Sequence, residues 1–222
     1  MDLLKVFDDI TDEQAAKRDE EIAQLIAQRE AEEREQRFKK SGVPERYLDQ
    51  TLETYNTNTD VQKTAKAAAE RFLREIKCGS FKSLVLIGSA GVGKTHLACA
   101  VIREYDGGKY RTAPDIIEEL RRAKSFTANE TEAEIVSYYG RVPLLVLDEI
   151  GRGINAVDEK YMLYQVLNAR YNSRRPTLLI SNHSKADFLQ YIGVAAADRL
   201  VESAEIVELK GDSYRKELRG VK

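Results

Sequence analysis

The chain has 222 residues, of which 42% are hydrophobic and 32% are charged, and its formal net charge at pH 7 is -2. This length accommodates one α/β domain with an appendage, but hardly two full domains. The near-neutral balance excludes nucleic-acid binding driven by overall charge, so any such contact must come from a local patch. No apolar stretch is long enough to span a bilayer, and the charged N-terminus cannot serve as a secretory signal. We therefore expect a cytoplasmic protein with no membrane partner.

The first predicted element is a dense run of mixed charge from about Thr11 to Lys40, without glycine or proline and rich in strong helix formers. This composition predicts one long helix. Its apolar residues are too few for a broad core-facing surface, so it is either a solvated helix or one that docks on a partner. The sequence SGVP at 41–44 then breaks the helix. We therefore divide the chain into a charged helical segment, 1–40, and a domain, 41–222.

Strands and helices alternate along the rest of the chain. The patterns predict helices at 60–77, 114–124, 130–139, 158–174 and 185–190, and a further helix that starts near 93. They predict strands at 84–87, 109–112, 143–147, 177–181 and 205–209. This alternation indicates a parallel sheet with helices on both faces. The two cysteines, Cys78 and Cys99, lie in no CxxC or Cys/His cluster, which argues against a disulfide framework or a zinc site.

The most informative motif is GSAGVGKT at 88–95, which fits the phosphate-binding pattern GxxxxGK[ST] and directly follows an apolar strand. Its glycines let the loop turn back with the amides pointing inward, and the phosphates then sit at a helix N-terminus. Lys94 supplies positive charge to the β- and γ-phosphates, and Thr95 offers its hydroxyl to Mg²⁺. The motif therefore predicts binding of a nucleoside triphosphate. The residues assigned to nucleotide binding are Gly88, Ser89, Ala90, Gly91, Val92, Gly93, Lys94, Thr95 and His96.

A second apolar strand, LLVLDE at 144–149, ends in two carboxylates. This end of a parallel strand lies beside the phosphate loop, so Asp148 can hold Mg²⁺ through its water shell. Glu149 can orient and deprotonate the attacking water. Asn182 follows the next strand, where its amide can hydrogen-bond the γ-phosphate and that water. Together these residues favour a hydrolase over a small-molecule kinase, because a kinase must exclude water from the γ-phosphate.

With these motifs the chain resembles the DnaC/IstB-type AAA+ ATPases, a family of bacterial and phage helicase loaders and transposition ATPases. The similarity runs from SGVPERY at 41–47 through GSAGVGKT, LLVLDEIG and LISN to DRL at 198–200 and GDSYR at 211–215. It implies a P-loop AAA+ (ASCE) fold, with ATP and Mg²⁺ as cofactors. It also implies that Arg199 is an arginine finger acting on a neighbouring subunit's nucleotide, and that Arg215 is the second sensor arginine.

The sequence departs from the family pattern at both ends. After the last predicted strand only a short tail remains, so we expect no full helical lid domain, and the placement of Arg215 is left open. The N-terminal part is short and lacks cysteines. If loaders of this kind hold the replicative helicase through their N-terminal region, residues 1–40 are the expected contact.

The resemblance implies an ATP-dependent helicase loader, an oligomer that binds single-stranded DNA and a replicative helicase and uses ATP hydrolysis as its switch. Residues 114–129 match the position of a helix that faces the pore in related loaders. Within them, Arg121, Arg122, Lys124 and Phe126 combine charge for phosphates with one aromatic ring for stacking, as single-strand binding requires. A solvated basic helix end is the alternative there.

Three other functions stay open. The ATPase can serve a transposase on duplex DNA, which the core motifs do not distinguish from a helicase loader. A phosphotransferase for a small metabolite predicts a substrate pocket and a turnover that does not depend on protein concentration. A nucleotide-dependent adaptor without hydrolysis is disfavoured by the intact set of Lys94, Thr95, Asp148 and Glu149.

Overall fold

The described part of the chain, residues 3–125, 128–152 and 156–211 of the computed structural model, contains a parallel β-sheet with helices on both faces. The α-helices are α1 (Leu3–Lys39), α2 (Asp60–Lys77), α3 (Lys94–Glu104), α4 (Ala113–Arg122), α5 (Glu132–Arg141), α6 (Ala156–Asn172), α7 (Lys185–Ile192) and α8 (Val194–Ser203). The strands are β1 (Ser83–Gly88), β2 (Gly108–Thr112), β3 (Leu144–Ile150), β4 (Thr177–Ser181) and β5 (Ala204–Leu209). Within these ranges, no helix combines the length and the apolar content that crossing a membrane requires.

All paired strands are parallel, and their order across the sheet is β2-β3-β4-β1-β5. Because parallel neighbours need crossover connections, the helices that join the strands cover both faces of the sheet. The carboxyl ends of β1, β3 and β4 therefore meet at one edge. Sheets of this kind bind ligands outside that edge. The predicted parallel α/β fold is confirmed.

The sheet divides the core into two layers. Along β1, Leu84 and Leu86 pack with residues of α2 and α3, whereas Val85 and Ile87 pack with residues of α4 to α8. All four side chains are fully buried. Burying one such side chain contributes about 1.5–3 kcal/mol, so the near-continuous apolar runs of the central strands stabilise the sheet from both faces.

The charged N-terminal helix is longer than predicted, because α1 begins at Leu3 instead of near Thr11. From residue 14 onward its side chains are mostly exposed, but Phe38 in the last turn is buried in the same core layer as α2 and α3. Arg37 also donates to both carboxylate oxygens of Asp106, at 2.7 and 2.8 Å. These contacts attach the last turn of α1 to the rest of the domain. The division of the chain at residue 40 stays a prediction.

Besides α1, two elements depart from the predicted pattern, while the others shift by two residues or fewer. β3 extends to Ile150 instead of ending at Leu147, with a register shift against β4 between these residues. α8 was not predicted, because it follows α7 after the single residue Gly193 and the sequence shows no gap between the two helices. Gly193 has a φ of 81°, a left-handed conformation that favours glycine and turns the chain there.

Candidate nucleotide-binding site

The phosphate-binding motif forms a tight loop between β1 and α3. Gly91 and Gly93 have φ angles of 86° and 94°, which side chains disfavour. A Cβ on Gly93 would lie 2.6 Å from a ring carbon of Tyr55, and one on Gly88 would lie 2.0 Å from the carbonyl oxygen of Leu209. The positive φ angles, and the atoms that a side chain would meet, therefore require glycine at these loop positions. Because Gly93 caps α3 without a side chain, the first amides of the helix remain for an anion.

The two polar side chains at the start of α3 have different partners. Lys94 is only 5% exposed, and its Nζ donates to the carbonyl oxygens of Gly88 and Ser89, both at 2.7 Å. The ammonium group therefore lies within the loop, where phosphate oxygens can replace the carbonyls as acceptors. The Thr95 hydroxyl donates to Oδ2 of Asp148 at 2.8 Å. The loop and the end of β3 are thus in direct contact.

The Asp148 carboxylate is buried and held from three directions. Its Oδ2 accepts from the hydroxyls of Thr95 and Tyr110, each at 2.8 Å. Its Oδ1 accepts from the backbone amide of Glu149 at 2.6 Å. Hydroxyl and carboxylate oxygens are ligands that Mg²⁺ prefers, either directly or through its waters. The donor set formed by Thr95 and Asp148 therefore fits a magnesium ion beside the phosphate loop.

Glu149 has a φ of 58°, which is uncommon for a residue other than glycine. It lies in the register shift between Leu147 and Ile150, and irregularities of this type redirect side chains next to active sites. The cost of such a conformation is about 1–3 kcal/mol, which the surrounding structure must offset. One contribution is the bond from the Glu149 amide to Asp148. The Glu149 carboxylate forms an ion pair with Arg152.

Asn182 is exposed and follows β4 at the same edge of the sheet. The preceding residue, Ser181, is buried, and its hydroxyl donates to the carbonyl oxygen of Ile150 at 2.7 Å. This bond joins the ends of β4 and β3. Asn182 and Glu149 therefore lie at neighbouring strand ends, and the role of Asn182 stays a prediction.

His96 contacts the segment that precedes α2. Because a carbonyl only accepts, Nε2 of His96 carries the proton and donates to the Thr51 carbonyl at 2.8 Å. The ring meets Tyr55 edge to face, with centroids 5.2 Å apart, and burial lowers the pKa of His96. Tyr55 in turn donates to the carbonyl of Val92 in the loop at 3.3 Å. His96 therefore helps to hold this segment against the loop, and a contact of its own with the nucleotide stays a prediction.

Arg199 lies near the opposite end of the sheet. It projects from α8 over the rings of Tyr171 and Tyr164 on α6, 5.0 and 5.8 Å from their centroids. The cavity beside it is lined by Ser83 and Thr177, the first residues of β1 and β4. A strand of six residues such as β1 separates its ends by roughly 17 Å. Arg199 therefore does not reach the phosphate loop of its own chain in this arrangement.

The predicted DNA-binding residues at the end of α4 have carboxylate partners in the same chain. The ion pairs are Arg121 with Glu159 at 3.7 Å, Arg122 with Glu118, and Lys124 with Glu132 at 3.3 Å. Phe126 and Arg215 lie outside the described residues, so their predicted roles stay predictions.

Sequence reasoning did not identify two residues that contact the paired carboxylates. Tyr110 reaches Asp148 from β2, and only the pairing of β2 with β3 reveals that proximity. Arg152 pairs with Glu149 across a turn, and an arginine three residues beyond a carboxylate is too common a pattern to attract notice. Neither residue belongs to a motif.

A parallel sheet of this order, with a phosphate loop after β1 and two carboxylates at the end of β3, defines the class of P-loop ATPases to which AAA+ proteins belong. The chain belongs to the family of IstB-like ATP-binding proteins, which it matches over residues 4–220. It is an ATP-binding AAA+ ATPase. The resemblance to DnaC/IstB-type proteins is thereby confirmed.

Individual proteins are similar over most of the chain. The chain is 29% identical over 192 residues to the replicative helicase loader DnaC of Buchnera aphidicola subsp. Schizaphis graminum, covering 82% of this chain and 75% of that protein. It is 31% identical over 159 residues to an ATP-binding protein of insertion sequence IS5376 from Geobacillus stearothermophilus, covering 66% and 62%. The crystal structure of the DnaC helicase loader has a TM-score of 0.67 at 24% identity, over 75% of this chain and 100% of that chain. This last similarity shows the fold.

Proposed function

We propose that this ATPase loads a replicative helicase and uses ATP hydrolysis as its switch. The observation that carries the proposal is the combination of a phosphate loop, in contact with an oriented Asp148, and a long helix whose exposed part is available to a partner. The first feature responds to a nucleotide and the second offers a surface to another protein. Similarity to DnaC loaders over 82% of the chain supports this combination.

Within the site, we assign one task to each polar group. The Lys94 ammonium exchanges loop carbonyls for oxygens of the β- and γ-phosphates. The Thr95 hydroxyl and the Asp148 carboxylate hold Mg²⁺, which neutralises phosphate charge when it is bound. Glu149 orients the attacking water and accepts its proton.

Glu149 must exchange its partner before it can act. The ion pair with Arg152 involves a largely exposed guanidinium, and pairs of this type contribute only about 0–1 kcal/mol. Binding of a nucleotide can therefore release the carboxylate at little cost. Asn182, at the neighbouring strand end, then hydrogen-bonds the same water and the γ-phosphate.

We assign Arg199 to the nucleotide of a neighbouring subunit. Its position near the amino ends of β1 and β4, away from its own phosphate loop, supports an action in trans. Such an action requires a head-to-tail arrangement in which one end of the sheet faces the other end of the next subunit. A guanidinium there neutralises the charge that develops on the transferred phosphoryl group. The same arrangement would bring subunits into an ATP-dependent oligomer.

We assign the replicative helicase to the exposed part of α1. Ile22, Leu25 and Ile26 have the spacing i, i+3, i+4 and are 51%, 67% and 53% exposed, so they form one apolar patch on an otherwise charged helix. A narrow patch of this kind suits docking into a groove of a partner. The last turn of α1 is attached to the domain, so it fixes the point from which the helix that carries this patch extends.

We assign single-stranded DNA to the end of α4. Arg121, Arg122 and Lys124 already have carboxylate partners, so DNA phosphates must replace them. Exposed ion pairs are weak, and the charge density of a nucleic-acid backbone is high, so this exchange is feasible.

A second candidate function is assistance to a transposase, favoured by the 31% identity to the insertion-sequence protein. The same nucleotide site serves both functions. The two differ in the partner protein and in whether the DNA is single-stranded or duplex.

Capture of a purified bacterial or phage replicative helicase tests the loader proposal. We expect the full chain to retain the helicase in ATP but not in ADP, or the reverse, because the nucleotide is the switch. Replacing Ile22, Leu25 and Ile26 by serine should weaken capture at least tenfold. The matched control replaces Glu20, Gln24 and Ala27 by serine on the opposite face of α1 and should retain it. Capture that is equal in ATP and in ADP, or that is unchanged when the patch is replaced, would contradict the proposal.

A further inference from the structure

Tyr110 contacts the proposed magnesium carboxylate from a strand that carries no motif. Its ring is 6% exposed, and its hydroxyl donates to Oδ2 of Asp148 at 2.8 Å. The contact follows from the sheet. Tyr110 pairs with Val146 in parallel register, so Asp148 is the next residue on the same face of β3 and is a diagonal neighbour within reach of an aromatic side chain.

The hydrogen bonds at Asp148 leave its carboxylate little freedom. A carboxylate offers about four acceptor positions. Three are occupied, by the hydroxyls of Thr95 and Tyr110 and by the Glu149 amide. One position therefore remains for a water of a hydrated ion, and its direction is set by the other three bonds.

The three donors differ in how firmly they are fixed. Thr95 belongs to the nucleotide loop and Glu149 to a backbone irregularity, so both lie in parts of the site that bind or react. Tyr110 lies in the middle of β2, within the core layer that contains α2 and α3. A phenol is protonated at neutral pH, so the Tyr110 hydroxyl is a donor to Oδ2 of Asp148 there.

We propose that Tyr110 is a positioning residue for Mg²⁺-dependent ATP binding. Its hydroxyl fixes Oδ2 of Asp148, so the carboxylate meets the hydrated ion in one orientation. The inference rests on the role proposed above for Asp148. If the Tyr110 hydroxyl served only as a structural hydrogen-bond donor in the core, it would contribute to folding and would leave the response to Mg²⁺ unchanged.

The variant Tyr110→Phe removes the hydroxyl and keeps the ring. Affinity for a fluorescent ATP analogue is measured in EDTA and over a series of Mg²⁺ concentrations. We expect the same affinity in EDTA as for the unchanged chain, and a roughly tenfold higher Mg²⁺ concentration for half of the gain in affinity, because a bond to a charged group is lost. Thermal unfolding of each variant shows that it is folded.

Tyr139→Phe is the matched control. Tyr139 is also buried, and its hydroxyl also donates to a carboxylate, Glu119 at 2.6 Å, but it packs in the other core layer. We expect its Mg²⁺ dependence to be unchanged. A Tyr110→Phe curve identical to that of the unchanged chain would overturn the inference. So would a loss of affinity in EDTA as large as the loss in Mg²⁺, since the hydroxyl would then support the loop itself.

Asp148→Asn separates failure of the inference from failure of the proposed site. If Asp148→Asn abolishes the gain in affinity from Mg²⁺ and Tyr110→Phe does not shift it, only the role of Tyr110 is wrong. If Asp148→Asn leaves the gain intact, the assignment of Asp148 is wrong and that of Tyr110 falls with it. The double variant should equal Asp148→Asn alone, because Tyr110 acts only through that carboxylate.

Discussion

At the scale of single residues, charge and hydrogen-bond geometry have separate tasks in the nucleotide site. Lys94 is buried against loop carbonyls, and its proposed role is to neutralise phosphate. Glu149 has an uncommon backbone conformation at a strand end, and its proposed role is to orient and deprotonate the attacking water. Affinity and chemistry should therefore separate by mutation.

We expect Lys94→Ala to lose most ATP binding, whereas Glu149→Gln binds ATP normally. Hydrolysis by Glu149→Gln should fall by about 10²–10⁴-fold, the range for a general base. Fluorescence of a bound nucleotide analogue gives the affinity, and phosphate release gives the rate. An equal loss of binding in both variants would show that this division of roles is wrong.

Arg170 offers a test of stability. It is buried, and its guanidinium donates to the Thr177 hydroxyl and to three carbonyls, those of Tyr139, Val142 and Pro176. Arg170→Met leaves these acceptors without the guanidinium, so we expect the free energy of unfolding in urea to fall by about 3 kcal/mol or more. Arg141→Met, on the exposed side of α5, is the control and should change it by less than about 0.5 kcal/mol. Equal effects would contradict this interpretation.

At the scale of elements, α1 combines an attached last turn with an exposed body. Phe38 packs in the core under the guanidinium of Arg103, 4.3 Å from the ring centroid. Deleting residues 1–34 should therefore leave ATP affinity and thermal unfolding unchanged. Phe38→Ala should lower the free energy of unfolding by about 3 kcal/mol. If the shorter deletion destabilises the domain as much as Phe38→Ala does, the exposed part of α1 also supports the fold.

Measurements of DNA binding test the proposed role of the end of α4. Affinity for a single-stranded oligonucleotide should fall steeply with added salt, because phosphate contacts release counterions. Lys124→Ala and Phe126→Ala should each weaken it about tenfold. Lys63→Ala, which removes an exposed, ion-paired lysine from α2, is the control. Unchanged affinity in both α4 variants would place the DNA contact elsewhere.

Sequence patterns identified the elements whose local signals agree with the fold. The phosphate loop and the apolar strand before Asp148 could be predicted, because glycine spacing and a buried parallel strand each leave a clear pattern. The contact from Tyr110 could not be predicted, because it depends on the pairing of β2 with β3, which no local sequence pattern shows. The positive φ of Glu149 was equally hidden, because nothing in LLVLDE signals a register shift.

At the scale of the whole molecule, the two halves of the proposed catalytic machinery lie at opposite ends of the sheet. The phosphate loop follows the carboxyl end of β1, and Arg199 packs beside a cavity at the amino ends of β1 and β4. A single subunit therefore contains a nucleotide site and, far from that site, the arginine that we propose acts on the nucleotide of a neighbouring subunit. With Arg199 acting in trans as proposed, hydrolysis would depend on assembly, which a small-molecule phosphotransferase would not need.

Complementation between two inactive variants tests this claim most directly. Arg199→Ala should bind ATP but not hydrolyse it, and Lys94→Ala should not bind ATP but still carries Arg199. Mixed together, they form junctions in which the first subunit holds the nucleotide and the second presents its arginine, a contribution worth roughly 10³–10⁵ in rate in phosphoryl-transfer enzymes. We expect phosphate release to return in the mixture and, for the unchanged chain, to rise faster than linearly with protein concentration. A mixture that co-assembles and stays inactive would contradict the action of Arg199 in trans.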